Sequence, residues 1–475
     1  MANGVNANVY ELGFGHSIEQ VNPISLPVKG RLPEWLRGTL IRNGPGTFQV
    51  GQERYRHWFD GLAMLHRFSF QEGRVSYTSR FLQVDAYTQA QQQERIVFSE
   101  FATDPQRSFP DRIGAVLSPQ TTDNAKVSVT RIHGHTLALA ETPIQVEFDP
   151  DTLLTLNRFS YEENRLGQMT TVHPVFDFQR DQVYNLVTRY NRITHYNLHD
   201  ISDPYHPKRL VSIPTSHPAY LHSFGMTPNY FIVVEFSLVV NPLALLLWLR
   251  PFIENFRWKP GLGSTFWIID RRDGKVVNRL HGEAFFAFHH VNAFERGDEI
   301  VLDIDAYEDA SILRAFYLDR LQDEQNELPF GRLRRYRLPL RGGSATYEVL
   351  SEACIELANY DYTRFNMDGT YRYVYASSVN PEKRQGFYNQ VVKVDIQTRT
   401  EQAWYSLNCY PGEPLFVGRP GRKEEDDGVI VTVVLDANSG HSFLLVLDAH
   451  SLEEIARAEI PQPVLFGYHG AFFNE

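Results

Sequence analysis

Leu65-His66-Arg67-Phe68-Ser69-Phe70, Gln71-Glu72-Gly73, then Val75-Ser76-Tyr77-Thr78-Ser79-Arg80-Phe81 is the stretch on which the fold turns. Two β-rich runs flank a polar, glycine-bearing turn, which predicts an antiparallel hairpin. Runs of this kind recur along the chain, and stretches of helical period are few. Four of them share one pattern, a β run that ends in Asp before a polar turn: Val146 to Asp149, Phe266 to Asp270, Val391 to Asp395 and Leu444 to Asp448. The aspartates lie 121, 125 and 53 positions apart, which fits two, two and one units of about 60 residues. Radially repeated four-stranded sheets produce such a spacing, and a β-sandwich array is the competing architecture. Seven blades with long loops fit the length, and the loops of a propeller gather on one face where they can roof an axial cavity. No Pro/Ser-rich linker divides the chain, so a single domain over residues 1–475 is expected.

The 475 residues carry 46 basic and 57 acidic side chains, a net charge of −11, without a block of Lys or Arg. That balance argues against nucleic acid as a partner. Two cysteines, Cys354 and Cys409, cannot build a disulfide framework or a cysteine zinc site. Met1 to His16 lacks the basic start and apolar run of a signal peptide, so the cytoplasm is the expected compartment. Rings are abundant, with 24 Tyr, 32 Phe and 6 Trp, enough for wide apolar walls or a large aromatic core.

The run from Phe236 to Phe252, centred on Leu243-Ala244-Leu245-Leu246-Leu247-Trp248-Leu249, is too short to span a bilayer. With Trp248, Arg250, Arg257, Trp258 and Lys259 it suits a loop or short helix dipping into one leaflet. A buried helix is the other reading.

Of 17 histidines, His195, His199, His206, His217, His441 and His450 stand in polar or turn-like surroundings and are expected at the surface. His173, His222, His289 and His469 instead sit in β-like segments among apolar residues, 49, 67 and 180 positions apart. If each ends an inner strand, four imidazoles from different blades converge on the axis. Imidazole suits iron, zinc, copper and nickel, and a neutral set of four leaves a divalent ion its full charge. Spacing alone does not separate this from four satisfied core histidines. Glu141, Glu356 and Glu413 lie in apolar company, where an unpaired carboxylate is costly, so each needs a partner: a ligand histidine or an Arg. The run Glu424-Glu425-Asp426-Asp427-Gly428 reads as a solvated or turn-capping cluster. Gly44-Pro45-Gly46 and Gly261-Leu262-Gly263 lack the context of a phosphate loop, and there is no nucleophile elbow. Glu141 and Glu413 as acid and base of a propeller hydrolase is a further alternative.

Taken in order, Gly38-Thr39-Leu40-Ile41-Arg42-Asn43-Gly44-Pro45-Gly46, His57-Trp58-Phe59-Asp60-Gly61, Tyr371-Arg372-Tyr373-Val374-Tyr375, Gly412-Glu413-Pro414-Leu415-Phe416-Val417 and Glu425-Asp426-Asp427-Gly428 carry a resemblance over almost the whole length. The chain resembles the carotenoid cleavage oxygenases, an iron(II) family that includes apocarotenoid, β-carotene and lignostilbene oxygenases and the retinoid isomerohydrolase. The resemblance implies an all-β, seven-bladed propeller with a dome of loops and helices over an axial iron. It implies one Fe(II) per chain on His173, His222, His289 and His469, with Glu141, Glu356 and Glu413 behind the ligands. His289 rather than His290 matches the family motif, where the ligand follows the Phe directly. The implied reaction is cleavage of a carotenoid or apocarotenoid double bond by O₂ to aldehydes, with substrate drawn from a membrane surface past the Phe236 to Phe252 loop. The run His222 to Tyr230 resembles the β-carotene oxygenase and isomerohydrolase branch, which suggests central cleavage to retinal-type products. Stilbene cleavage, isomerohydrolysis and non-catalytic carotenoid binding on the same fold are the alternatives. Phe59 in the matching motif, with no lysine between Lys29 and Lys126, argues against a stilbene cleaver.

Overall fold

A computed structural model describes residues 9–15, 18–107, 121–160, 168–246, 250–323, 326–384 and 387–474. The opening hairpin forms as expected: Leu62–Gln71 pairs with Arg74–Phe81, and Gln71 faces Arg74 across a two-residue turn. Glu72 and Gly73 both take positive φ, 50° and 71°, the turn geometry that matches strand twist.

The described residues build seven sheets of four to six strands, the blades of a β-propeller. From the axis outward, blade 1 runs Gly470–Phe473, Gly38–Thr47, Leu62–Gln71, Arg74–Phe81 and Val21–Ser25. Blade 2 is Ser128–Ile132, His135–Leu139, Ile144–Phe148 and Thr155–Ser160. In blade 3, Gln168–Thr170 and Val175–Asp177 both pair with Gln182–Arg189, followed by Thr194–Asp200 and Lys208–Thr215. Blades 4, 5 and 6 begin at the axis with Gly225–Met226, Phe286–Arg296 and Glu356–Asn359. Blade 7 begins with Cys409–Pro411 and Leu415–Gly418 and ends with Val28–Gly30. The ring is therefore sealed twice, since blades 1 and 7 each combine strands from both ends of the chain. Each blade keeps an outer strand paired on one side only, such as Lys208–Thr215, while closure ties the two ends of the chain into shared sheets.

The four Asp-ended runs are the third strands of blades 2, 4, 6 and 7, so the spacing counted blades correctly. Each aspartate caps its own turn: Asp149 accepts from the amides of Asp151 and Thr152, Asp270 from Arg272, Asp395 from Gln397 and Thr398, and Asp448 from His450 and Ser451. Asp200 does the same in blade 3 through Ser202. Asp395 also accepts from Arg372 Nε at 2.9 Å and Nη2 at 2.6 Å. Burial pushes this acid up, but Arg372 and the turn amides outweigh it and hold the pKa at about 2. Its stabilisation is thus full above the ordinary carboxylate range, about 4, and is lost as pH falls toward 2. Asp395→Ala should lower stability by about 1–2 kcal/mol at pH 7, with the gap to wild type closing between pH 4 and 2 in urea titrations.

Two surface expectations change. His199 is 2% exposed, because it points inward from the third strand of blade 3. The acidic run is a staple between blades: Glu425 accepts from the amides of Arg372 and Tyr373, and buried Asp426 accepts from Lys393 Nζ at 2.7 Å. Within the Phe236 to Phe252 run, Phe236 and Leu238–Val240 are buried. Pro242–Leu246 is a short helix with Leu243 61% exposed, and Leu247, Trp248 and Leu249 lie outside the described residues. Among the described residues no helix is long and apolar enough to cross a membrane.

Candidate metal centre

Each blade delivers one polar group to the axis. His173, His222, His289 and His469 come from blades 3, 4, 5 and 1, and Glu141, Glu356 and Glu413 from blades 2, 6 and 7. The four histidines bring one ring nitrogen each within 4.8 Å of all the others. Ring centroids lie 4.4 Å apart for His173 and His469, 4.9 Å for His289 and His469, and 5.2 Å for His222 and His289.

Local backbone features aim these side chains. His173 precedes Pro174, which keeps it extended in the link between the two inner segments of blade 3. His289 sits where the pairing of Phe286–Arg296 with Glu299–Tyr307 shifts register, and this bulge separates it from His290. His290 stays outside the cluster, its Nδ1 2.7 Å from Ser223 Oγ. The His469 amide donates to Val127 O at 3.1 Å, and its carbonyl accepts from Asn43 N at 2.9 Å. That clamp needs Gly44, where a Cβ would stand 2.6 Å from Gly467 Cα. Leu357 takes a φ of 53°, an uncommon conformation for leucine, directly after Glu356.

Three of the rings are fixed by carboxylates. His222 Nδ1 lies 2.7 Å from Glu141 Oε1, His289 Nδ1 2.6 Å from Glu356 Oε1, and His469 Nδ1 2.9 Å from Glu413 Oε1. An ionised carboxylate only accepts, so Nδ1 carries the proton and Nε2 keeps its lone pair. Each glutamate has further donors: Tyr220 hydroxyl for Glu141, Tyr307 hydroxyl for Glu356, and Arg42 at 2.6 Å with the Gly470 amide at 2.9 Å for Glu413. Both sequence alternatives for a buried carboxylate, histidine and arginine, thus hold at Glu413. Arg42, Tyr220 and Tyr307 were not singled out by sequence. Arg42 had a signal, a charge inside an apolar strand.

The donor set fits a cation. His289 and His469 turn Nε2 toward Nε2 at 3.2 Å, and His173 Nε2 is buried with no hydrogen-bond partner. Converging lone pairs repel unless a positive charge lies among them. Burial drives His173 and His469 well below the usual imidazole range, and His222 below it. Burial also lowers His289, but Glu356 outweighs it and holds that ring above the range.

The cluster separates two spaces. On one side Trp58, Phe59, Phe101, Phe252, Phe288 and Phe316 wall an apolar cavity that reaches His222, His289 and His469. On the other, the inner strands enclose a more polar axial channel that reaches His173, His289 and His469.

Fold and site together define a seven-bladed propeller with a buried four-histidine cluster beneath an apolar aromatic cavity. The chain belongs to the carotenoid oxygenase family: the family model described as RPE65, retinal pigment epithelial membrane protein, matches residues 14–474. It is 34% identical over 487 residues to the carotenoid isomerooxygenase of Galleria mellonella, covering 96% of this chain and 94% of that protein. It is 33% identical over 519 residues to human beta,beta-carotene 15,15'-dioxygenase, covering 96% and 93%. A cobalt-substituted Synechocystis ACO has a similar structure, with a TM-score of 0.87, 25% identity and 98% of each chain covered.

Proposed function

We propose that this chain is a non-haem iron(II) dioxygenase that cleaves a carbon–carbon double bond of a carotenoid or apocarotenoid. The observation that carries the reading is four histidines with one ring nitrogen each within 4.8 Å of the others, three of them lining the apolar cavity. His173, His222, His289 and His469 would hold one ferrous ion, and Glu141, Glu356 and Glu413 orient three of the rings. When bound, the ion supplies a site for activating dioxygen. One C=C and one O₂ give two C=O groups, so both oxygen atoms enter the products and no external reductant is needed. The aromatic walls exclude water and hold the rigid polyene, and their ring faces favour positive charge that develops along it. The expected dome would be built from the connections that line the cavity, with Leu245 of the short helix Pro242–Leu246 and Phe316 just after Ser311–Ala315. The names of the relatives support this reading, as does the cobalt in the Synechocystis neighbour. Use of Glu141 and Glu413 as a hydrolase pair is disfavoured, because each is committed to a histidine.

Iron-loaded protein incubated with β-carotene or long apocarotenals under O₂ should release paired aldehydes, identified by mass, and a chelator should stop the reaction. A carrier would bind the polyenes and yield none.

Substrate insoluble in water has to come from lipid, and the mouth of the cavity is suited to that. Leu245 and Phe252 line it beside exposed Leu243, Arg250, Arg257 and Lys259. We therefore place the protein at a membrane surface on its cytoplasmic side. Leu243→Asp should reduce sedimentation with anionic liposomes several-fold without changing metal content; equal partitioning of the two proteins would remove this membrane contact.

A further inference from the structure

Apart from the histidines and their glutamates, the cavity lining contains a buried Lys–Glu ion pair. Lys126 and Glu100 both face the cavity, with side chains only 6% and 1% exposed. Lys126 Nζ donates to Glu100 Oε2, and Thr122 Oγ1 donates to Glu100 Oε1 at 2.7 Å. An ammonium group has three N–H donors, and Glu100 is the one side-chain partner of this ammonium among the described residues. Leaving such donors unmet costs about 1–3 kcal/mol each. An unsubstituted hydrocarbon cannot meet them. The position also bears on the chemistry, because Val127, the next residue after Lys126, accepts the His469 amide through its carbonyl.

We propose that Lys126 and Glu100 form a subsite for a hydroxyl group on an end ring of the polyene; this rests on the cleavage reading only for the polyene itself. The pair offers both donors and an acceptor, and a hydroxyl uses one of each. An aldehyde carbonyl can only accept, from Lys126. A carboxylate would meet the negative charge of Glu100. The expected order is therefore hydroxylated ring, then aldehyde, with hydrocarbon and acid ends last.

The test is binding to metal-free full-length protein, so that it does not depend on turnover. β-Carotene and its 3-hydroxylated counterpart are titrated in detergent micelles and followed by quenching of intrinsic fluorescence. Wild type should bind the hydroxylated polyene about tenfold tighter, the worth of one hydrogen bond to a charged group. Lys126→Met with Glu100→Gln, which removes both charges at similar volume, should bring the ratio close to one. Lys126→Gln alone serves if the double variant fails to unfold cooperatively. Equal affinities in wild type, or a preference that survives these substitutions, would make the pair purely structural and overturn the proposal. A preference without aldehyde formation by the iron-loaded protein would support the subsite and defeat the cleavage reading.

Discussion

His469→Ala and His173→Ala should each reduce bound iron from about one per chain to below about a tenth, and with it all polyene cleavage. The two positions test different features. His469 is anchored to Glu413 and clamped by Val127 and Asn43, whereas His173 Nε2 is buried with no partner. A ligand loss leaves three imidazoles and an opening, so the effect on affinity should exceed the roughly 10- to 100-fold expected for a residue that only supports a ligand. His290→Ala is the control, since His290 lies in the next position but bonds Ser223 instead of joining the cluster. Metal analysis of the purified variants, with product detection alongside, checks the expectation. Turnover retained by either ligand variant, or metal lost equally from His290→Ala, would sink the ligand assignment.

Glu413→Ala should produce the largest stability loss among the three glutamate variants, about 3–5 kcal/mol. The reason is Arg42, buried beside it, whose guanidinium would keep Tyr468 O at 2.8 Å but lose its only carboxylate partner among the described residues. The amide of Gly470 and Nδ1 of His469 lose their acceptor as well. Glu141→Ala removes hydrogen bonds to Tyr220 and His222 with no cation left stranded, and should cost about 1–3 kcal/mol. Urea titrations of metal-free protein separate the two, because the histidines then contribute no binding energy. If Glu413→Ala and Glu141→Ala destabilise equally, the Arg42 ion pair is not the deciding contact.

Much of the architecture was legible because its signals are local. An aspartate that ends a strand caps the turn within three residues, so Asp149, Asp270, Asp395 and Asp448 mark third strands without reference to the rest of the chain. Their spacing counts blades because a propeller repeats one hairpin unit per step. The candidate metal residues were legible only in part. His173, His222, His289 and His469 were selected on their β-like, apolar contexts, and the choice of His289 over His290 needed the family motif. His199 was misplaced, since polar neighbours in sequence say little about which face of a strand turns inward. The acidic run looks solvated or turn-capping from sequence because nothing near it shows Arg372, Tyr373 or Lys393, which come from the neighbouring blade.

By itself, then, the sequence determined the strand-and-turn pattern and the residue types able to bind a metal, both of which depend on neighbours a few positions apart, while the count of seven blades needed the family resemblance. Only the tertiary structure decided which glutamate faces which histidine, that Arg42 closes one of those pairs, and that Lys126 and Glu100 meet inside an aromatic cavity. Those partners lie 26 to 371 positions apart. Whether they touch depends on how the ring closes, with blades 1 and 7 sealed by strands from both ends of the chain.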